Sequence, residues 1–144
     1  MRKFAAVIAS TVVLLANGHA FGLSLDLRGP TFKAGHPVQG EQLHTAVTSG
    51  EMEALAQSVG ILKRYPEVLF EVVGHTDPGE CTGRSCQDLA LRRAVLVYRY
   101  LIDAGVSPKR VISLTEYSTT RPIASEHEDR QVNRRAEINV ALEP

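Results

Sequence analysis

Two side chains of opposite charge stand out by where they fall. Asp77 follows an apolar run, Val68 to Val73, through Gly74-His75-Thr76. Arg93 lies in Leu89-Ala90-Leu91-Arg92-Arg93-Ala94, early in a helical pattern. A carboxylate accepts hydrogen bonds from an ammonium, and a guanidinium clasps a carboxylate with two parallel N–H bonds, as lysine's compact charge does not. Such a pair suits a ligand carrying both charges. Taken singly, Asp77 also reads as a turn initiator before Pro78-Gly79, and Arg93 as a solvated helix residue. Arg92 competes for the guanidinium role, but neighbours on a helix point about 100° apart, so the two do not reach one ligand group together.

Other chemistries are less well provided for. Ser85 has no G-x-S-x-G elbow around it, and no pair of acids has a recognisable glycosidase setting. The spacing of His75, Asp77, Cys81 and Cys86 fits no strong zinc pattern, and Cys81 and Cys86 form C-x4-C and not the redox motif C-x-x-C. Neither an enzyme, a metal nor a cofactor is expected. His36, His44 and His127 read as surface or loop residues, and His75 as part of a strand-end turn.

The first residues point to export. Arg2-Lys3 is followed by the apolar stretch Phe4 to Ala16 and by small residues through Ala20. That order reads as a secretory signal peptide, residues 1–20, removed after Ala20, with cleavage after Gly18 and a buried N-terminal helix as the alternatives. The apolar stretch, about 13 residues, is shorter than the roughly 20 a spanning helix needs. An oxidising compartment then favours a Cys81–Cys86 disulfide. Closing so short a loop contributes about 2 kcal/mol in the chain-entropy model, and stiffening of the loop between Asp77 and Arg93 is an equally good reading of its purpose. The 144 residues, 44% apolar and 22% charged, suit one globular domain. The 16 basic and 16 acidic residues balance, which does not suggest a nucleic-acid partner.

The elements that must position these residues follow from periodicity. Residues 21–47 form an N-terminal segment rich in Gly and Pro, with a first-strand candidate at Leu23 to Leu27 and a weaker one at Val38 to Leu43. Thr48 and Glu51 have capping-box spacing ahead of a helix whose inward stripe is Met52, Leu55, Val59 and Leu62 and which ends at Tyr65-Pro66. Val68 to Val73 reads as a buried strand. Gly74 to Gln87 reads as a polar loop, and Asp88 as the cap of a second helix to about Ala104 with a stripe of Leu91, Val95, Tyr98 and Leu101-Ile102. Strands are expected at Val111 to Thr115 and Ala136 to Ala141, joined by a polar connection with a helical turn. The fold class is α/β (α+β): a two-layer βαβαβ(α)β sandwich with helices on one mixed sheet.

Three pieces in order, Gly74-His75-Thr76-Asp77, then Leu89 to Ala94, then Asn133-Arg134-Arg135-Ala136-Glu137, resemble the pattern G-H-T-D, L-S-x-x-R-A, N-R-R-x-E of the OmpA-like C-terminal domain family, the OmpA/MotB type. Gly105 to Val111 and Tyr117 with Arg121-Pro122-Ile123 fit the family's connections. The resemblance covers roughly residues 48–142 and places the domain at 48–144. It implies non-covalent binding of peptidoglycan through the diaminopimelate of a stem peptide, with Asp77 on the ammonium, Arg93 on the carboxylate, and Asn133, Arg134 and Thr76 lining the site. It further implies a periplasmic protein associated with the cell wall or outer membrane, anchoring an envelope-complex partner.

The sequence departs from that pattern at particular places. Ala90 replaces the serine of L-S-x-x-R-A, Cys86 stands where the family has asparagine, and Glu116 and Ser118 replace the glycines around Tyr117. The usual aromatic-Asp pair before the first helix is absent. A degenerate domain serving as a protein-interaction module is therefore the alternative, with a cell-wall hydrolase as a weaker one.

Overall fold

The structure is a computed structural model that describes residues 25–141. The expected signal peptide, residues 1–20, and the start of the first-strand candidate lie outside the described residues. The elements are α1 (Leu43–Ala46), α2 (Glu51–Arg64), β1 (Phe70–His75), α3 (Arg84–Asp103), a 3-10 turn (Pro108–Arg110), β2 (Val111–Ser118), a second 3-10 turn (Arg130–Asn133) and β3 (Ala136–Val140). The sheet order is β2-β1-β3, with β1 parallel to β2 and antiparallel to β3. The sheet is mixed and the helices pack on it, as the expected fold class requires.

Residues 25–30 form no strand. Pairing there is limited to isolated bridges, Thr31 with Arg135 and Phe32 with Val47. Val38 to Leu43 is not a strand either: Val38 is 55% exposed, and the chain turns into α1 at Leu43. The many Gly and Pro residues of this segment give its alternation no partner to pair with.

The core is built by α2 and α3 over β1. Leu55, Val59 and Leu62 of α2 meet Phe70 and Val72 of β1 and Ala94, Val97 and Leu101 of α3. Met52 packs against this cluster from its edge. The capping box does not form. Gly50, with φ 83°, precedes α2, while Glu51 Oε2 accepts from the Thr31 N–H at 3.1 Å and the Thr31 and Thr48 hydroxyls bond to each other at 2.7 Å. The N-terminal segment thus takes the groups that a local cap would have used. The C-terminal end of α2 is closed from a distance. Arg110 donates to the carbonyls of Leu62, Tyr65 and Val68 at 2.7–2.9 Å, satisfying acceptors that a helix end leaves orphaned.

α3 begins at Arg84, four residues before Asp88, which is therefore inside the helix and not its cap. Ser85 exchanges hydrogen bonds with the Thr82 backbone, and the Cys81–Cys86 disulfide spans the entry, with Cα atoms 5.1 Å apart. The inward face is Cys86, Leu89, Ala90, Arg93, Ala94, Val97 and Leu101. The expected stripe is rotated away from this: Leu91 is 43% exposed, and Val95, Tyr98 and Ile102 are only partly buried. The cause lies in β1. A Cβ on Gly74 would stand 1.8 Å from the Ala90 carbonyl oxygen, so strand and helix touch backbone to backbone. Small residues must face β1 there, and Leu91 cannot.

Candidate functional site

Thr76 and Asp77 continue β1 beyond its last paired residue. His75 N–H donates to the Arg135 carbonyl and Thr76 N–H to the Ser118 carbonyl, each at 2.9 Å, so both flanking strands hold the exit. Asp77-Pro78-Gly79-Glu80 is then a tight turn, with Glu80 N–H on the Asp77 carbonyl at 3.2 Å. The turn-initiator and site-residue readings of Asp77 are thus compatible.

Asp77 is buried and its carboxylate is fully engaged. Oδ1 accepts from Arg130 Nε at 2.9 Å and Asn133 Nδ2 at 3.0 Å, while Oδ2 accepts from Gly79 N–H at 2.9 Å and lies 2.8 Å from Arg130 Nη2. Burial by itself raises the Asp77 pKa. The hydrogen bonds from Arg130, Asn133 and Gly79, with the Arg130 charge, outweigh it and hold the carboxyl below its ordinary value. Asn133 is positioned by a loop: its Oδ1 accepts from the N–H groups of Ile123 and Ala124, and its Nδ2 also donates to the Ala124 carbonyl.

Arg93 has no exposed surface. Its Nη1 and Nη2 clasp Glu80 Oε1 and Oε2 at 2.6 and 2.7 Å, while Nε donates to the His36 carbonyl and Nη1 to the His75 carbonyl, both at 2.9 Å. Nη2 reaches the Lys33 carbonyl at 3.4 Å, and the guanidinium carbon lies 5.1 Å from the Phe32 ring centre. Glu80 has two further donors, the backbone N–H groups of Asp77 at 2.9 Å and Gly35 at 2.8 Å. One carboxylate therefore sits in a cradle of one guanidinium and two backbone amides. This is the charge-assisted, bidentate geometry that makes a strong carboxylate receptor.

The structure brings Asp77, Asn133 and Arg93 into one neighbourhood, joined through Glu80. Arg93 and not Arg92 faces it; Arg92 Nε donates outward to the Pro37 carbonyl. Arg93 is not the solvated helix residue of the alternative reading. Arg134 does not reach Asp77, since its Nε donates to the Phe32 carbonyl at 3.1 Å. Thr76 Oγ1 is buried with no hydrogen-bond partner among the described residues. Asp77 and Arg93 are both buried, and each faces an internal partner, Arg130 and Glu80 respectively. A cavity of about 860 Å³ lies elsewhere, between the segment around Val38 and the outer side of α3 at Leu91 and Arg99.

Two residues of the neighbourhood escape a reading of motifs, Glu80 and Arg130. Both had a signal. Asp-Pro-Gly-Glu is turn chemistry that returns the fourth residue onto the first. Arg130 precedes Asn133 by three, the spacing that stacks residues on a 3-10 turn.

On the outer end of the sheet, Glu137 is held to a pKa of about 2. His75, with Nε2 3.4 Å from Glu137 Oε2, lowers it most; burial opposes this, and bonds from Arg135 Nε at 2.7 Å and Asn139 Nδ2 at 3.2 Å lower it further.

A central strand that leads into a buried Asp77, followed by a helix that carries a buried Arg93, on a mixed sheet covered by helices, defines a two-layer α/β domain. The OmpA family matches residues 41–136, and the chain belongs to that family. It is 36% identical over 93 residues to outer membrane porin F of Pseudomonas fluorescens, covering 63% of this chain and 27% of that one, so it spans about a quarter of that relative's length. The C-terminal domain of Helicobacter pylori MotB superposes with a TM-score of 0.64 at 27% identity, over 81% of this chain and 85% of that one. The peptidoglycan-associated lipoprotein of Burkholderia pseudomallei shares the fold, with a TM-score of 0.61 at 22% identity over 79% and 91% of the two chains.

Proposed function

We propose that this domain binds peptidoglycan non-covalently through the diaminopimelate residue of a stem peptide, without catalysing a reaction, and so anchors an envelope component to the wall from the periplasm. Residues 48–144 form the binding domain, and residues 1–20 are its export signal. The carrying observation is the adjacency of two receptors of opposite sign. The cradle around Arg93 suits a carboxylate, and the Asp77 carboxylate suits a cation. The free end of diaminopimelate carries both groups. Family membership and the likeness to a peptidoglycan-associated lipoprotein support the same reading.

Asp77 takes the ammonium, Arg93 the carboxylate, Asn133 orients Asp77, and Thr76 supplies a free hydroxyl. Arg134 acts at a remove, by holding the Phe32 backbone beside Arg93. Truncating one partner of a desolvated, hydrogen-bonded charge pair costs about 2–5 kcal/mol, which is at least about tenfold in affinity.

Co-sedimentation with diaminopimelate-type sacculi tests this. Wild type pellets, while Asp77→Ala and Arg93→Ala bind at least about tenfold more weakly, each with its fold checked by circular dichroism. Equal pelleting of folded variants and wild type refutes it, and release of soluble muropeptides indicates a hydrolase. A second reading, a protein-interaction module without wall binding, is favoured by one observation: both receptors are filled by the chain's own side chains. It predicts that wild type stays in the supernatant.

A further inference from the structure

We propose that Glu80 is a built-in occupant of the carboxylate cradle, and that a ligand binds only by displacing it; the identity of that ligand rests on the peptidoglycan reading above. Glu80 is three residues beyond Asp77, in the turn the sequence itself dictates, and its side chain is 3% exposed. It makes every contact an incoming carboxylate needs: two from Arg93, one from Asp77 N–H and one from Gly35 N–H. Arg130 does the same for the opposite charge. Its guanidinium lies on both Asp77 oxygens, where a ligand ammonium would lie, and it is 32% exposed, so it can swing to solvent. Together the two side chains imitate a zwitterion.

The charges explain why the cradle does not stand empty. A guanidinium out of water without a counter-charge is heavily penalised, so the cradle exchanges one carboxylate for another and not for nothing. Glu80 is also tethered closely. The Cys81–Cys86 disulfide ties the next residue back to the first turn of α3, the helix that carries Arg93. That short tether keeps the effective concentration of the internal carboxylate high. If the cradle is open in one molecule in ten, apparent affinity for an external carboxylate falls about tenfold. Glu80 is thus a threshold, and ligands offering both charges at once pass it most easily.

The test uses the exported chain as wild type, Glu80→Ala, and Glu80→Asp, which keeps the charge but withdraws it by one methylene. The first probe is sodium acetate against sodium chloride at equal ionic strength, read as melting temperature. Acetate raises the melting temperature of Glu80→Ala by several degrees and leaves wild type unmoved. The second probe is meso-diaminopimelate by calorimetry, with sacculus co-sedimentation beside it. Glu80→Asp and Glu80→Ala bind about tenfold more tightly than wild type. Should Glu80→Ala be too unstable to handle, Glu80→Asp carries the second comparison alone. The proposal is overturned if a folded Glu80→Ala gains nothing specific from acetate. It is also overturned if wild type binds diaminopimelate and the variants bind no more tightly. If acetate rescues Glu80→Ala but no form binds diaminopimelate or sacculi, the internal occupant stands and the peptidoglycan reading falls.

Discussion

Replacing Arg93 by methionine removes the largest fully buried side chain of the described residues without removing its bulk. The structure sets the size of the effect. Glu80 loses both side-chain donors and keeps only the backbone N–H groups of Asp77 and Gly35, so a carboxylate is left buried without a counter-charge. The carbonyls of His36 and His75 each lose a 2.9 Å donor as well. Breaking a buried pair on one side costs about 3–5 kcal/mol, out of about 5–15 kcal/mol for a whole domain. In urea, with a slope of about 1–3 kcal/mol per molar, the midpoint falls by roughly 2 M. The assay is equilibrium unfolding followed by far-UV circular dichroism, with slopes compared to confirm a common denatured state. Adding Glu80→Gln removes the stranded charge, so the double variant costs less than the sum of the singles by about 2 kcal/mol. A single-variant cost below about 1 kcal/mol, or strict additivity, would refute the claim that this pair is desolvated and coupled.

Three further outcomes are expected. Gly74→Ala, whose new methyl meets the Ala90 backbone, destabilises the domain by about 3 kcal/mol in the same urea assay. Ser118 sits at φ 49°, in the left-handed region that favours glycine, so Ser118→Gly stabilises by about 1 kcal/mol; a loss of stability would show that the serine is not strained. The depressed Glu137 pKa means its contribution is complete above the ordinary value of 4.5 and is lost as pH falls toward about 2. Glu137→Gln is therefore less stable than wild type at pH 7, and calorimetric melts should show that difference shrinking between pH 4.5 and about 2; a constant difference would exclude the linkage.

The periodicity of apolar residues determined α2 and β3, which each bury one face, and an unbroken apolar run determined β1, which is buried on both; β2 was legible from its β-branched residues, although Ile112 and Leu114 face outward. The helical stripe of α3 was legible in period but not in phase. Its inward face contains Arg93 and alanines where a count of large apolar residues looks for Leu91 and Val95. The reason is the approach of Gly74 to Ala90, a contact between elements that no local pattern records. The capping box at Thr48 failed in the same way, since Thr31 outbid the local partners of both Thr48 and Glu51.

The sequence by itself determined the family, the order of elements from α2 to β3, the cysteine pair and the chain positions of Asp77, Arg93 and Asn133, because each is written in residue type and spacing. Only the tertiary structure decided who pairs with whom. Glu80 belongs to Arg93 and Arg130 to Asp77, while Arg134 turns away to Phe32. Those choices follow from burial, which compels every charge inside the fold to find a partner, and the partner within reach is a matter of three-dimensional distance and not of sequence.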